Sequence, residues 1–198
     1  MTFDMGSIMT LVLETIRKPK AGADVILAQR FERGILWQLL ALVTVLSVLA
    51  AQITVLLLGP GGGELMGGPL LNRPLLATLI QAVLLLALVY ATFAIGRAFG
   101  GEGAFDDILA LVVWLQFILL VIQMVQTFAL MVFPALGLLI AFASVVLFGW
   151  LLVNFVAHVH GFQSLPHVFV GILVSAFAII FLFSLLLAML GIAVPVTQ

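Results

Sequence analysis

The chain alternates long uncharged apolar runs with short polar connections. The five runs lie at 36–58, 75–96, 108–125, 130–156 and 168–191. Each run reaches or approaches the ~20 residues that an α-helix needs to cross a ~30 Å hydrocarbon core. Continuous apolar runs lack the two-residue alternation of a membrane β-barrel. The pattern therefore predicts an all-α polytopic membrane protein, with five transmembrane helices at about 35–58, 74–97, 105–127, 130–157 and 167–192.

Two short amphipathic helices are expected in the polar segment that precedes the first span. Apolar side chains recur on one face of 8–16, and the turn at Lys18-Pro19 ends this first helix. A second short helix is expected over 24–33. Both have the pattern of interfacial helices that lie along the lipid headgroups. A loosely ordered tail is the alternative.

Composition supports the membrane assignment. Hydrophobic residues make up 65% of the chain and charged residues 8%, against roughly 45–50% and about 25% in soluble domains. Nine of the fifteen charged residues lie in 1–34, so this part is interpreted as a cytoplasmic or interfacial segment and 35–194 as the five-helix transmembrane domain. The net charge of −1 and the lack of a basic cluster on a long soluble segment argue against nucleic acid as a partner.

Basic residues predict the orientation. Six of the seven lie on one side of the expected spans, at Arg17, Lys18, Lys20, Arg30, Arg33 and Arg97. Only Arg73 lies in the first loop on the other side. Because cytoplasmic loops carry an excess of Lys and Arg, the N-terminus is expected in the cytoplasm and the C-terminus outside.

A stripe of polar side chains follows the third span. Gln123 and Thr127 each lie within about 20° of Gln116 around an ideal helix, and Gln81 and Thr92 form a similar stripe in the second span. The stripes indicate either a hydrophilic pathway or hydrogen bonds between neighbouring helices. The second interpretation is favoured, because ionisable residues, the stronger mark of a pathway, are missing from the span centres.

No catalytic constellation is visible in the sequence. Asp106 and Asp107 are consecutive, so on a helix their carboxylates diverge by about 100° and suit a helix start better than acid–base chemistry. The chain has no cysteine, and no Gly-rich segment continues into the Lys-Ser/Thr of a phosphate-binding loop. We therefore expect neither an enzyme nor a cofactor.

Three histidines cluster near the last cytoplasmic connection, at His158, His160 and His167. A His-x-His pair on a helix points its rings about 200° apart, so shared metal ligation would require a non-helical turn. Interfacial polar residues are the favoured interpretation. Metal binding or pH sensing is the alternative.

Two loop motifs carry a family resemblance. The stretch 100–109 reads Gly-Gly-Glu-Gly-Ala-Phe-Asp-Asp-Ile-Leu and enters the third span, and 159–168 reads Val-His-Gly-Phe-Gln-Ser-Leu-Pro-His-Val and precedes the fifth. With five spans and a Pro-containing lead-in, the chain resembles the Yip1-domain family, in its short prokaryotic form. The residues that match the first family motif are Gly101, Gly103, Phe105 and Asp107. The resemblance implies a multi-pass protein of the bacterial inner membrane.

These observations predict a non-enzymatic membrane protein that acts as a membrane-organising or accessory scaffold subunit through helix–helix and lipid contacts. Its expected partners are membrane lipids and either a larger membrane complex or further copies of the chain. The residues expected to contact anionic lipid or a partner are Arg17, Lys18, Lys20, Arg30 and Arg33. The alternative function is a small channel or transporter that uses the Gln-lined stripe.

Overall fold

The structure is a computed structural model that describes residues 4–59 and 73–189, except the side chains of 5, 180 and 182–189. These residues form seven α-helices and no strand, which confirms the all-α prediction. The helices are α1 (Met5–Arg17), α2 (Pro19–Leu27), α3 (Arg33–Leu58), α4 (Pro74–Ala98), α5 (Phe105–Val132), α6 (Pro134–His160) and α7 (Leu165–Met189).

Local sequence signals account for several helix ends. Proline occupies the first positions of α4 and α6, where its missing N–H is not needed and its fixed φ favours a helix start. Asp106 and Asp107 lie in the first turn of α5, at the positive end of the helix dipole. Gly161 follows α6 with a φ of 72°, the left-handed conformation that commonly ends a helix.

The predicted bounds of the second short helix are wrong. This helix is Pro19–Leu27 rather than 24–33. Pro19 starts the helix earlier because proline is well suited to the first helical turn. Arg30 ends the segment with a φ of 47°, a conformation that an ordinary helix cannot contain.

Among the described residues, four helices are long and apolar enough to cross a membrane: α3, α4, α5 and α6. The helix α7 starts close to the predicted start of the fifth span. Its part up to Ile179 is apolar but shorter than the four spanning helices. Residues 190–192 of that predicted span lie outside the described residues. The chain is thus a multi-pass bundle, and its fifth span stays a prediction.

The helix α5 forms the centre of the bundle. It packs extensively on α3 and α6 and to a lesser extent on α4. In its most apolar 18-residue window 56% of the residues are buried, compared with 17% for α4. The third span therefore organises the fold, and the neighbouring helices leave their outer faces to the membrane.

The helices α1 and α2 form a hairpin on the bundle. Its apolar face, which includes Val12 and Ile26, is buried, and α2 packs on α5 and α6. The Trp114 indole N–H donates to the buried Thr15 hydroxyl over 3.2 Å. The predicted amphipathic face therefore packs against protein, while docking of the hairpin on lipid headgroups stays a prediction.

Candidate functional site

The two loop motifs, far apart in sequence, meet at one end of the bundle. The connection between α4 and α5 lies against the last turn of α6. The Gly103 N–H donates to the His160 Nδ1 over 3.2 Å, and the Glu102 N–H donates to the His160 carbonyl oxygen over 3.4 Å. We call the contact of His160 with Gly96, Gly101 and Gly103 the glycine–histidine junction.

Both ring nitrogens of His160 have partners. Because Nδ1 accepts from Gly103, the proton of the neutral imidazole is on Nε2, which lies 3.1 Å from the Thr92 carbonyl oxygen and donates to it. The residue is only 3% exposed, and Phe162 stacks on its ring at 5.5 Å between centroids. His160 is therefore a buried side chain with both ring nitrogens hydrogen-bonded, and it joins α6 to α4 and to the connection between α4 and α5.

The three glycines of the junction leave room for this ring. A Cβ built on Gly96, Gly101 or Gly103 would lie 2.2, 2.5 or 2.8 Å from the nearest His160 ring atom. Such distances are too short for any side chain. Gly101 and Gly103 were predicted as motif residues without a partner, and Gly96 was missed because nothing local marks a glycine near a helix end as a packing residue.

Phe105, the aromatic residue of the first motif, joins three helices. Its ring centroid lies 5.2 Å from that of Tyr90 and 5.8 Å from that of Phe93, both on α4. On α3, Trp37 contacts the same ring at 6.3 Å. These rings form an aromatic cluster that fixes the start of α5 between α3 and α4.

An ion pair also joins the start of α3 to the start of α5. The Arg33 guanidinium donates through two nitrogens to the Asp106 carboxylate, at 2.7 and 3.0 Å. This bidentate geometry is the favoured arrangement for arginine and carboxylate. Arg33 is thus engaged within the protein, which the sequence pattern did not indicate. Asp107, the predicted motif residue beside it, makes no ion pair within 4–59 and 73–189.

The other predicted basic residues remain exposed and have no acidic partner among the residues that the structure describes: Arg17, Lys18, Lys20 and Arg30. The first three flank the turn between α1 and α2. A second ion pair, between the His158 Nε2 and the Asp24 Oδ1 at 2.8 Å, ties α2 to α6 when the histidine is protonated. With respect to the described residues, the turn therefore presents three unpaired cations from a hairpin that packs on the bundle.

The polar stripe of α5 faces α3. The Gln116 amide donates to the Ser47 hydroxyl and the Gln123 amide to the Ser47 carbonyl oxygen, both over 3.2 Å. The Thr127 hydroxyl lies 2.6 Å from that of Thr54. These contacts are the hydrogen bonds between helices that the favoured interpretation expects.

The stripe of the second span is not part of this contact. Thr92 offers its carbonyl oxygen to His160, on the α6 side of α4. Gln81 is partly exposed and makes no side-chain hydrogen bond within the described chain. The five polar residues therefore do not share one surface. Three of them join α3 to α5, Thr92 belongs to the glycine–histidine junction, and the Gln81 amide has no bond within the described chain.

Removal of the two amides from this contact should lower stability by a small amount. Each such bond between membrane helices contributes about 0.6 kcal/mol, so Gln116→Leu with Gln123→Leu is expected to cost about 1 kcal/mol. Unfolding in mixed micelles of mild detergent and dodecyl sulfate measures the change. Gln81→Leu is the matched control, with no expected loss. An equal effect of both variants would contradict the assignment.

The histidines do not form a metal site in the described part of the chain. There, no group of three or more His, Cys, Asp or Glu side chains is arranged to hold a metal ion. His158 contacts Asp24, His160 is enclosed in the junction, and the His167 Nδ1 lies 2.6 Å from the Ser164 hydroxyl oxygen. The three rings thus serve three separate contacts.

The bundle of apolar helices and its paired loop motifs define a multi-pass membrane protein. The family model of the Yip1 domain matches residues 13–187, which is most of the chain. The chain therefore belongs to the Yip1 family, and the resemblance found in the sequence is confirmed. Searches of curated proteins and of solved structures gave no match.

Proposed function

We propose that this Yip1 family protein is a non-enzymatic organiser or accessory scaffold subunit of the bacterial inner membrane, with its N-terminus in the cytoplasm. It acts through lipid and helix–helix contacts. The observation that carries the proposal is the turn between α1 and α2, where Arg17, Lys18 and Lys20 are exposed and have no acidic partner in the described chain.

Electrostatics favours anionic lipid or an acidic partner at this turn. A basic side chain close to an anionic membrane surface contributes about 1 kcal/mol. The hairpin that carries the three cations is attached to the bundle through the Trp114 contact to Thr15. Because the backbone that carries the cations is already folded, binding lowers the conformational entropy of the side chains alone.

The apolar outer surfaces of the helices also support the scaffold role. Large apolar side chains of α4 and α6 are exposed, among them Leu79 at 61% and Phe142 at 72%. Such faces suit lipid and the helices of other membrane proteins. The channel alternative loses its main support, because Gln116 and Gln123 donate to α3.

Charge reversal at the turn tests the proposal. The combined variant Arg17→Glu, Lys18→Glu and Lys20→Glu is expected to lower the preference for phosphatidylglycerol over phosphatidylethanolamine at least about tenfold at low salt, since about 1 kcal/mol is at stake at each position. Mass spectrometry of lipids retained by the protein in mild detergent measures this ratio. Proteins that co-purify are identified in the same preparation.

Arg73→Glu is the control, because this exposed residue precedes α4, on the side that the charge distribution places outside. It should leave the lipid ratio and the co-purifying proteins unchanged. If the triple variant keeps both the wild-type lipid preference and the wild-type set of bound proteins, the proposed role of the turn is wrong.

A further inference from the structure

A long apolar groove of about 850 Å³ separates α4 from α7, and α6 forms its floor. The helix α7 packs on α6, and its contact with α4 is much weaker. Small residues line both walls, with Ala87 and Ala91 on α4 and Gly171 and Ser175 on α7. A Cβ added to Gly171 would meet nothing within 4 Å. The volume lies in the range of small-molecule sites in proteins.

Most polar groups of the groove gather at one end. Gln163, Ser164 and His167 line the mouth beside the connection between α6 and α7, while the walls along the helices are almost entirely apolar. The Ser164 hydroxyl lies 2.6 Å from the His167 Nδ1 and can donate to it. The proton of the neutral ring is then on Nε2, which has no partner among the described residues and is a free donor.

We propose that the groove binds one membrane phospholipid, with its acyl chains along α4 and α7 and its phosphate at the polar mouth. The wall helix α4 and the floor helix α6 are long and apolar enough to span a bilayer, so the groove opens to hydrocarbon and not to water. An amphiphile with one polar end matches this distribution. The His167 Nε2–H and the Gln163 amide supply donors for phosphate oxygens.

Charge complementarity favours a phospholipid over a helix from a second copy. The charged residues of α3 and α4 are the basic Arg33 and Arg97, α5 carries its two carboxylates in its first turn, and no Asp, Glu, Lys or Arg follows Asp107 in the chain. A second copy would therefore offer the donors at the mouth no anionic group from its last two helices, whereas a phosphate satisfies them. The site extends the lipid contacts of the proposed function but rests on residues remote in sequence from Arg17, Lys18 and Lys20.

A bulky substitution in the wall tests the site. Ala91→Phe fills the groove beside the floor and is expected to weaken phosphatidylglycerol binding about tenfold, through lost apolar contact. Native mass spectrometry of the full chain, titrated with phosphatidylglycerol in mild detergent, measures the affinity. The control Ala143→Phe adds the same ring at an exposed position of α6 that does not line the groove. Equal effects of the two variants would overturn the proposal.

The polar mouth has its own test. His167→Ala removes the phosphate donor and should weaken phosphatidylglycerol about tenfold while leaving the affinity for diacylglycerol, which has no phosphate, unchanged. A parallel loss for both lipids would overturn the role of the mouth. The triple charge reversal at the α1–α2 turn should keep the groove lipid, so failure of the proposed function and failure of this site give different results.

The absence of cysteine allows a second measurement if Ala91→Phe does not fold. Ala91→Cys and Ala143→Cys each introduce a single thiol that takes a small fluorophore. Doxyl-labelled phosphatidylglycerol in nanodiscs should quench the label at position 91 in a saturable way and that at position 143 in proportion to its mole fraction. Proportional quenching at both positions would overturn the proposal. Where Ala91→Phe does fold, a wild-type dimer that this variant dissociates would also overturn the proposal, because it would place a second copy in the groove.

Discussion

Gly96→Ala is expected to destabilise the protein by about 3 kcal/mol, although alanine is the better helix former. The added Cβ would lie 2.2 Å from the His160 Nε2. The ring must then move and give up its bonds to Thr92 and Gly103 while it stays buried, which leaves polar groups without partners. Unfolding in mixed detergent micelles, followed by circular dichroism, measures the loss.

A double-mutant cycle attributes this loss to the junction. In the His160→Ala background the obstructing ring is gone, so Gly96→Ala should be neutral or slightly stabilising, and the coupling energy should be about 3 kcal/mol. Gly149 on α6 is the matched control, since a Cβ there meets nothing within 4 Å. Gly149→Ala should stabilise by up to about 1 kcal/mol. Additive effects at Gly96 and His160 would refute the junction.

Phe105→Ala is expected to cost about 3 kcal/mol, the second large effect. Its ring contacts Tyr90, Phe93 and Trp37, so truncation leaves a cavity and removes several aromatic contacts at once. The Arg33 guanidinium, 5.9 Å from the ring centroid, also loses its aromatic partner. The start of α5 should become more accessible, which hydrogen exchange of the 101–108 amides reports.

Phe128→Ala is the control for this variant. Phe128 lies on the same helix but is 71% exposed, so its ring faces the membrane side and packs little against protein. Its truncation should change stability by no more than about 0.5 kcal/mol. A loss at Phe105 as small as that at Phe128 would mean that the aromatic cluster does not hold the three helices together.

Part of the candidate site could be predicted from the sequence. The motif residues Gly101, Gly103 and Phe105 stood out because glycine, aromatic and acidic residues between two apolar runs are conspicuous. What they contact was not accessible. His160 lies 57 residues beyond Gly103, and the predicted alternatives for it were an interfacial polar residue, a metal ligand or a pH sensor. The role of Gly96 and the ion pair between Arg33 and Asp106 were missed because their partners are also distant in sequence.

The sequence by itself determined that this is an all-α membrane protein, because long uncharged apolar runs must form helices when no water is present to bond their backbone. It also carried local signals for several helix ends, since prolines, acidic first turns and a glycine after a helix act locally. Only the tertiary structure decided that α5 is central, that its polar stripe faces α3, and that a groove lies between α4 and α7. Uniformly apolar helices carry little information about which face meets which neighbour. Close packing around a few residues such as His160 and Phe105 makes that choice.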